Sequence, residues 1–295
     1  MNSNLIVSKV MYSKYPPFFN LFFALYSLAL VGLQAGCVPQ ENISNEKVGL
    51  IEEGPLLEPE YVMNSIELLS SDEGFDLTGD GIPNNSLALL FEDPYVGPVL
   101  GGDPNEYIAK SVRRAELLLL LDFINFNDFG DDKSVDIEIF LGNDPDGDRS
   151  NNFDGTEFTV TCSSLTSEGV AESQFIDAQI ENGVLSGSGG AFRFLVSFSN
   201  TEVLLQNAKI VGQFDAEGLQ ITEGMLGGAV SFEDLEEVVL NDPEIGPQFA
   251  DVMLAFLRAK LDTDLNDDGD FDAMSASFRF EAVPAMIDRE SPCAE

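Results

Sequence analysis

The sequence predicts an α+β fold that is mainly β, an antiparallel β-sandwich or barrel-like sheet with two or three peripheral helices. Two observations carry this. Apolar and polar residues alternate with period two in several separated segments, the pattern of half-buried strands, whereas the 3.6-residue period of amphipathic helices is confined to short stretches. The chain has 295 residues, 44% of them hydrophobic, which is enough for one domain around a sizeable core.

Residues 1–36 carry two charges, Lys9 and Lys14, and no acid, and they run apolar from Phe18 to Leu33. This is a signal-peptide profile. The apolar stretch is shorter than the roughly 20 residues a transmembrane helix needs. Leu33-Gln34-Ala35-Gly36-Cys37 resembles the bacterial lipobox, in which a small residue precedes an acylated cysteine. The resemblance implies cleavage after Gly36 and lipidation of Cys37; an uncleaved anchor and ordinary secretion are the alternatives. Val38, standing where a retention signal would place Asp, points to the outer membrane or cell surface. Residues 37–60 are acidic, contain Pro39, Pro55 and Pro59 and lack apolar periodicity, so they read as a flexible tether. Residues 61–295 then form the single β-rich domain.

Within it, Val135, Ile137, Ile139 and Leu141 alternate with Asp136, Glu138 and Phe140. Phe192, Phe194, Val196 and Phe198 alternate with Arg193, Leu195 and Ser197, and Phe278, Phe280 and Ala282 with Arg279 and Glu281. Leu117 to Leu121 is apolar on both faces and reads as a central strand. Ile180-x-x-Gly183-x-Leu185-x-Gly187 recurs as Ile221-x-x-Gly224-x-Leu226-x-Gly228, and Asp177-Ala178-Gln179-Ile180 is echoed by Asn207-Ala208-Lys209-Ile210. Two copies are too few for a solenoid, so the repeat predicts two similar hairpins of one sheet, with the glycines at turns and bulges. Asp103-Pro104-Asn105-Glu106 opens a helix to about Arg114, with Asp as cap and Pro at the first position. Ser231 opens another to about Leu240, with Phe232, Leu235, Val238 and Val239 on one face. A third, from Pro247 to about Leu261, carries a core stripe of Phe249, Val252, Met253, Phe256 and Leu257.

The charge balance narrows function. There are 52 acidic against 14 basic residues, a net charge of −38, and no histidine or tryptophan. Without histidine, Ser-His-Asp triads, Cys-His dyads and HExxH zinc helices are excluded. A surface this acidic repels phosphate backbones, so nucleic acid is a poor partner.

Three acidic loops carry the chemistry. Asp264-Leu265-Asn266-Asp267-Asp268-Gly269-Asp270-Phe271-Asp272 fits the D-x-[DN]-x-[DN]-G opening of a calcium loop. Alternate residues point oxygens inward, the glycine permits the bend, and a hard cation wants six to eight oxygens. Asp264, Asn266 and Asp268 are the expected side-chain ligands, Asp270 the carbonyl ligand, and Asp272 a direct or water-mediated one. Ser275 stands at position twelve, where an EF-hand has a bidentate Glu, so another carboxylate or water completes the shell. A helix enters this loop and a strand leaves it, unlike a helix-loop-helix hand. In Asp76-Leu77-Thr78-Gly79-Asp80-Gly81-Ile82-Pro83-Asn84, the expected ligands are Asp76, Thr78, Asp80, the Ile82 carbonyl and Asn84, with Leu87 at position twelve and a short helix from Asn85 to Phe91 behind. Its Asp-Gly-Ile-Pro-Asn ending resembles thrombospondin type 3 calcium loops over about ten residues. The third loop, 144–152, offers Asp144, Asp146, Asp148 and Asn152 but has Arg149 at the bend. Lacking the bidentate Glu, these loops belong to the weak extracellular affinity class, about 10⁻⁴–10⁻³ M, and the ions would be structural.

If Cys37 is lipidated, Cys162 and Cys293 remain as an even pair; a disulfide between them and two free thiols are both open. The mature chain also resembles a group of uncharacterised lipoproteins of myxobacteria-like Gram-negative bacteria. The likeness lies in Phe75 to Asn84, the Asp144 loop after Ile139-Phe140-Leu141-Gly142, Glu223 to Ala229, and Asp268 to Ser275 before Phe278 to Ala285. It implies a shared fold and envelope location and brings no activity. The expected function is a non-catalytic, calcium-stabilised cell-envelope lipoprotein, tied to the membrane by its lipid, with a structural, adhesion or ligand-binding role toward a glycan or envelope protein. A calcium-dependent carbohydrate-binding module and a carboxylate-based glycoside-active enzyme are the alternatives.

Overall fold

The computed structural model describes residues 59–98, 100, 102–196, 201–241 and 247–289. In chain order the elements are β1 (Glu60–Leu68), α1 (Ala88–Glu92), α2 (Pro104–Arg113), β2 (Leu119–Ile124), β3 (Asp131–Asn143), β4 (Glu157–Val160), β5 (Ser173–Glu181), β6 (Val184–Val196), β7 (Thr201–Phe214), β8 (Ile221–Ser231), α3 (Phe232–Asn241), α4 (Pro247–Arg258), β9 (Ala273–Pro284) and β10 (Met286–Asp288). A 3-10 turn spans Cys162–Ser164. Glu60, assigned from sequence to the tether, opens β1, while residues 1–58, which hold the expected signal segment, Cys37 and the rest of the expected tether, and Cys293 lie outside the described residues. Among those residues no helix is long and apolar enough to cross a membrane.

The sheet is a barrel. Strands β1, β2, β3, β5, β6, β7, β8 and β9 pair antiparallel in that order, and β9 returns to β1. Eight strands therefore close an antiparallel meander, which leaves the barrel itself no open edge. Outside it, β4 pairs with the end of β3 and β10 lies parallel to β4, forming a two-stranded flap.

Side chains sort by the period-two rule. Leu119, Leu121, Phe123, Val135, Ile137 and Ile139 enter the main core, while Leu118 and Leu120 point the other way into a second cluster under the flap with Phe158 and Val160. The 117–121 run is apolar on both faces because both are covered. Phe140, expected on a polar face, is buried in that second cluster too. The flap, invisible to local pattern, is what covers it.

The repeat is a different object from the two hairpins expected. Its first copy is a hairpin, with β5 and β6 joined by Asn182 and Gly183 at φ 52° and 81°, the two left-handed residues that a tight type I′ turn requires. Its second copy lies within β8, where Glu223 at φ 51° forms a bulge and no turn occurs. Gly224 is small there because a Cβ would stand 2.7 Å from the Phe280 ring. The upstream echo is also a pair of bulges: Asp177 (φ 56°) and Asn207 (φ 50°) each precede a buried Ala and Ile. Bulges let a sheet bend tightly enough to close.

The two mouths of the barrel differ. One is plugged by Tyr61, Phe123, Phe126, Phe129 and Phe214, with neighbouring ring centroids 4.5–6.5 Å apart. The Tyr61 hydroxyl donates to the Gly218 carbonyl at 2.6 Å. At the other mouth, where β1 ends at Leu68, helices cover the core. Asp103 caps α2 through the Asn105 N–H, and Ser231 receives the Asp234 N–H at the start of α3, as their sequences predict. On α4 the buried face is Ala250, Met253, Leu254 and Leu257. Val252, assigned to the stripe from sequence, is 60% exposed, because the helix is rotated so that its neighbour Met253 faces inward.

Candidate metal centre

Loop 76–84 leaves β1 toward α1, and loop 264–272 joins α4 to β9. Both are built on the same frame. The first carboxylate accepts the N–H of the bend glycine: Gly81 to Asp76 Oδ2 at 2.8 Å, and Gly269 to Asp264 Oδ2 at 2.7 Å. The fifth accepts the N–H of the seventh, Ile82 to Asp80 and Asp270 to Asp268, both at 2.9 Å. The ninth accepts the N–H of the second, Leu77 to Asn84 at 3.2 Å and Leu265 to Asp272 at 2.8 Å. Positions four and six take positive φ in each loop, at Gly79 and Gly81 and at Asp267 and Gly269. Short carboxylates bonding to nearby backbone amides are what curl these segments. The Gly81 N–H, aided by Gly79 and Thr78, holds the Asp76 carboxyl below the ordinary carboxylate range.

Loop 144–152 keeps part of this frame. Gly147 donates to Asp144 and Ser150 to Asp148, at 2.9 and 3.1 Å. The Asn151 amide and then the Asp148 N–H hold the Asp146 carboxyl low. Arg149 is not left-handed, and Pro145 has no N–H to offer position nine. Asn152 is accordingly 1% exposed with neither side-chain polar atom hydrogen-bonded. Among the described residues no hydrogen bond joins this loop to the other two.

Those two are joined to each other through Asp262, a residue outside the calcium-loop pattern. Asp262 lies two positions ahead of its loop. Its Oδ2 accepts from Asn84 Nδ2 at 2.7 Å and from the Ser86 and Ser275 hydroxyls at 2.6 Å each, while Oδ1 accepts the Ser275 N–H at 2.8 Å. Asn84, position nine of the first loop, is thus tied to the root of the second. Asn85 completes the seam, donating to the Leu69 and Ser277 carbonyls and accepting the Ser277 N–H. Ser275, at position twelve, is fully buried and turned toward Asp262. No local signal marks Asp262 in the sequence, because the partners that give it its role come from residues 84–86 and 275.

Among the described residues, no group of three or more acidic or cysteine side chains is arranged to hold a metal ion. The donor chemistry nonetheless suits a hard cation. Asp264, Asp268, Asp76 and Asp80 accept only one to three hydrogen bonds each, and a carboxylate offers about four acceptor positions. Cys162 is disulfide-bonded, and the other two cysteines of the chain lie outside the described residues.

Set against known protein families, curated proteins and solved structures, the chain matches none of them.

Proposed function

We propose that this protein is a non-catalytic lipoprotein of the cell envelope, tied to the membrane through Cys37, whose barrel is braced by calcium and serves ligand binding. The observation that carries the calcium reading is the shared frame of loops 76–84 and 264–272 and their junction at Asp262. Asp264, Asn266 and Asp268, with the Asp270 carbonyl and Asp272, would hold one ion. Asp76, Thr78, Asp80, the Ile82 carbonyl and Asn84 would hold another. An ion there would neutralise carboxylates crowded on a surface that is already strongly negative.

A calcium-dependent carbohydrate-binding role is favoured by one feature, Phe271, which is 59% exposed on the loop 264–272. An aromatic face beside an ion is a surface on which a sugar ring can stack. The deciding experiment is calorimetric melting of residues 38–295 after chelator treatment, with calcium added back. Melting is expected to rise steeply near 10⁻⁴–10⁻³ M calcium, and the part of that rise due to loop 264–272 should vanish in Asp264→Ala/Asp268→Ala. An unchanged melting curve would reduce the loops to solvated turns. Glycan-array signal that chelator and Phe271→Ala both remove would establish the sugar-binding form, and a blank array would end it.

A further inference from the structure

Between the open mouth of the barrel and its helical cap lies a cavity of about 110 Å³. Leu205, Val230 and Phe278 form its floor, and Leu235, Val239 and Leu257 its roof; every lining residue is apolar except Tyr107. A void of this size costs stability, and one without polar walls does not hold ordered water. Hydrocarbon is what it accommodates, and an eight-stranded barrel is of the size that holds one small ligand.

Next to it is a wider cleft of about 550 Å³, which shares Leu68, Phe91 and Pro104 with the cavity wall. The two spaces therefore abut along a shared wall. The chemistry of the cleft is the opposite: Glu92, Asp93 and Asp103 line it, and no Lys or Arg does among the described residues. Each carboxylate is fixed by backbone donors, Glu92 by the Ser71 N–H at 2.9 Å, Asp93 by Tyr95 at 2.8 Å and Asp103 by Asn105 at 2.9 Å. They are held in position, with acceptor positions left over.

We propose that this pair of spaces binds a single-chain amphiphile with a cationic head, its hydrocarbon tail beneath the cap and its ammonium group in the acidic cleft. A carboxylate or phosphate head would meet three fixed negative charges with no Lys or Arg among the described residues that line the cleft. The inference uses none of the calcium-type loops and stands if they prove empty of function.

The test is calorimetric titration of the full-length protein with hexylammonium, hexanol and hexanoate, which stay monomeric in water, and with methylammonium as a head-only control. Hexylammonium is expected to bind at least tenfold more tightly than hexanoate, with hexanol between and methylammonium undetectable. Val239→Phe fills the cavity and should abolish binding of all three hexyl probes while the protein still melts cooperatively; Leu235→Phe replaces it if Val239→Phe fails to fold. Asp93→Asn/Asp103→Asn should equalise hexylammonium and hexanol, since Asn still caps α2. Hexanoate binding as well as hexylammonium would overturn the head-group assignment. Binding that survives the filled cavity, or no hexyl probe binding a cooperatively melting protein, would overturn the site.

Discussion

Asp262 shows how much a single carboxylate can organise. It gathers donors from Asn84, Ser86, Thr263 and Ser275, and so places one loop against the next. Asp262→Ala would leave several of these buried groups without an acceptor, and each such loss costs about 1–3 kcal/mol. The substitution is expected to lower unfolding free energy by about 3 kcal/mol, read as a fall in the urea midpoint at constant slope. It should also shift calcium binding at both loops, whereas Asp264→Ala should weaken only its own. Tyr61 works in the opposite chemical sense. Burial in the aromatic plug, and secondarily the charge of Asp215, push its phenol well above the ordinary value. An acid whose folded-state pKa is raised contributes full stability below its unfolded pKa and loses it as pH climbs beyond. Unfolding free energy should therefore decline from roughly pH 10 upward, and Tyr61→Phe should flatten that decline. At neutral pH the same variant should be about 1 kcal/mol less stable, because the Gly218 carbonyl loses its donor. Urea midpoints between pH 7 and 11 measure both effects.

Elements are where local pattern and global fold part company. The strands around 135–141 and 273–284 were legible because alternation is a property of neighbours, and Asp103 and Ser231 announced their helices through capping chemistry. The echo of Asp177 in Asn207 was also visible, but its meaning as paired bulges was not. A left-handed residue in a strand has the same letters as one in a turn until its partners are known. The choice of barrel over sandwich depended likewise on β3 meeting β5, a pairing that no stretch of either strand declares. In the candidate site, the loop ligands could be read from spacing, whereas Asp262 could not, because its partners come from residues 84–86 and 275, far away in the chain. The turn at Asn182-Gly183 offers a direct check on this level. A Cβ at Gly183 would sit at positive φ and 2.8 Å from Gln213 Nε2. Gly183→Ala should cost about 1–2 kcal/mol, seen as a lower thermal midpoint with the circular dichroism of the barrel unchanged.

For the molecule as a whole, the dominant force to account for is its own charge. A net charge of −38 makes every compact state self-repelling, and ion pairs such as Arg289 with Asp122 and Glu138 relieve this only locally. Two kinds of cation could relieve it globally, and they leave different signatures. Monovalent salt acts by screening: raising it from 0.01 to 0.15 M shortens the Debye length from about 30 to 8 Å. For calcium-free protein this should raise the melting temperature by about 3–6 °C, corresponding to about 1–2 kcal/mol in a domain of this size. Calcium acting as a bound ion needs no such concentration. At fixed 0.15 M sodium chloride, 1 mM calcium adds negligibly to ionic strength, so any further rise in melting temperature reports ligation by the loops. Magnesium at the same concentration should do less, since it gives up its waters reluctantly and demands tighter geometry. If calcium and magnesium prove equal, the carboxylates respond to charge alone. If calcium adds stability beyond both salt and magnesium, the alternating oxygens of Asp76 to Asn84 and Asp264 to Asp272 are acting as coordination shells.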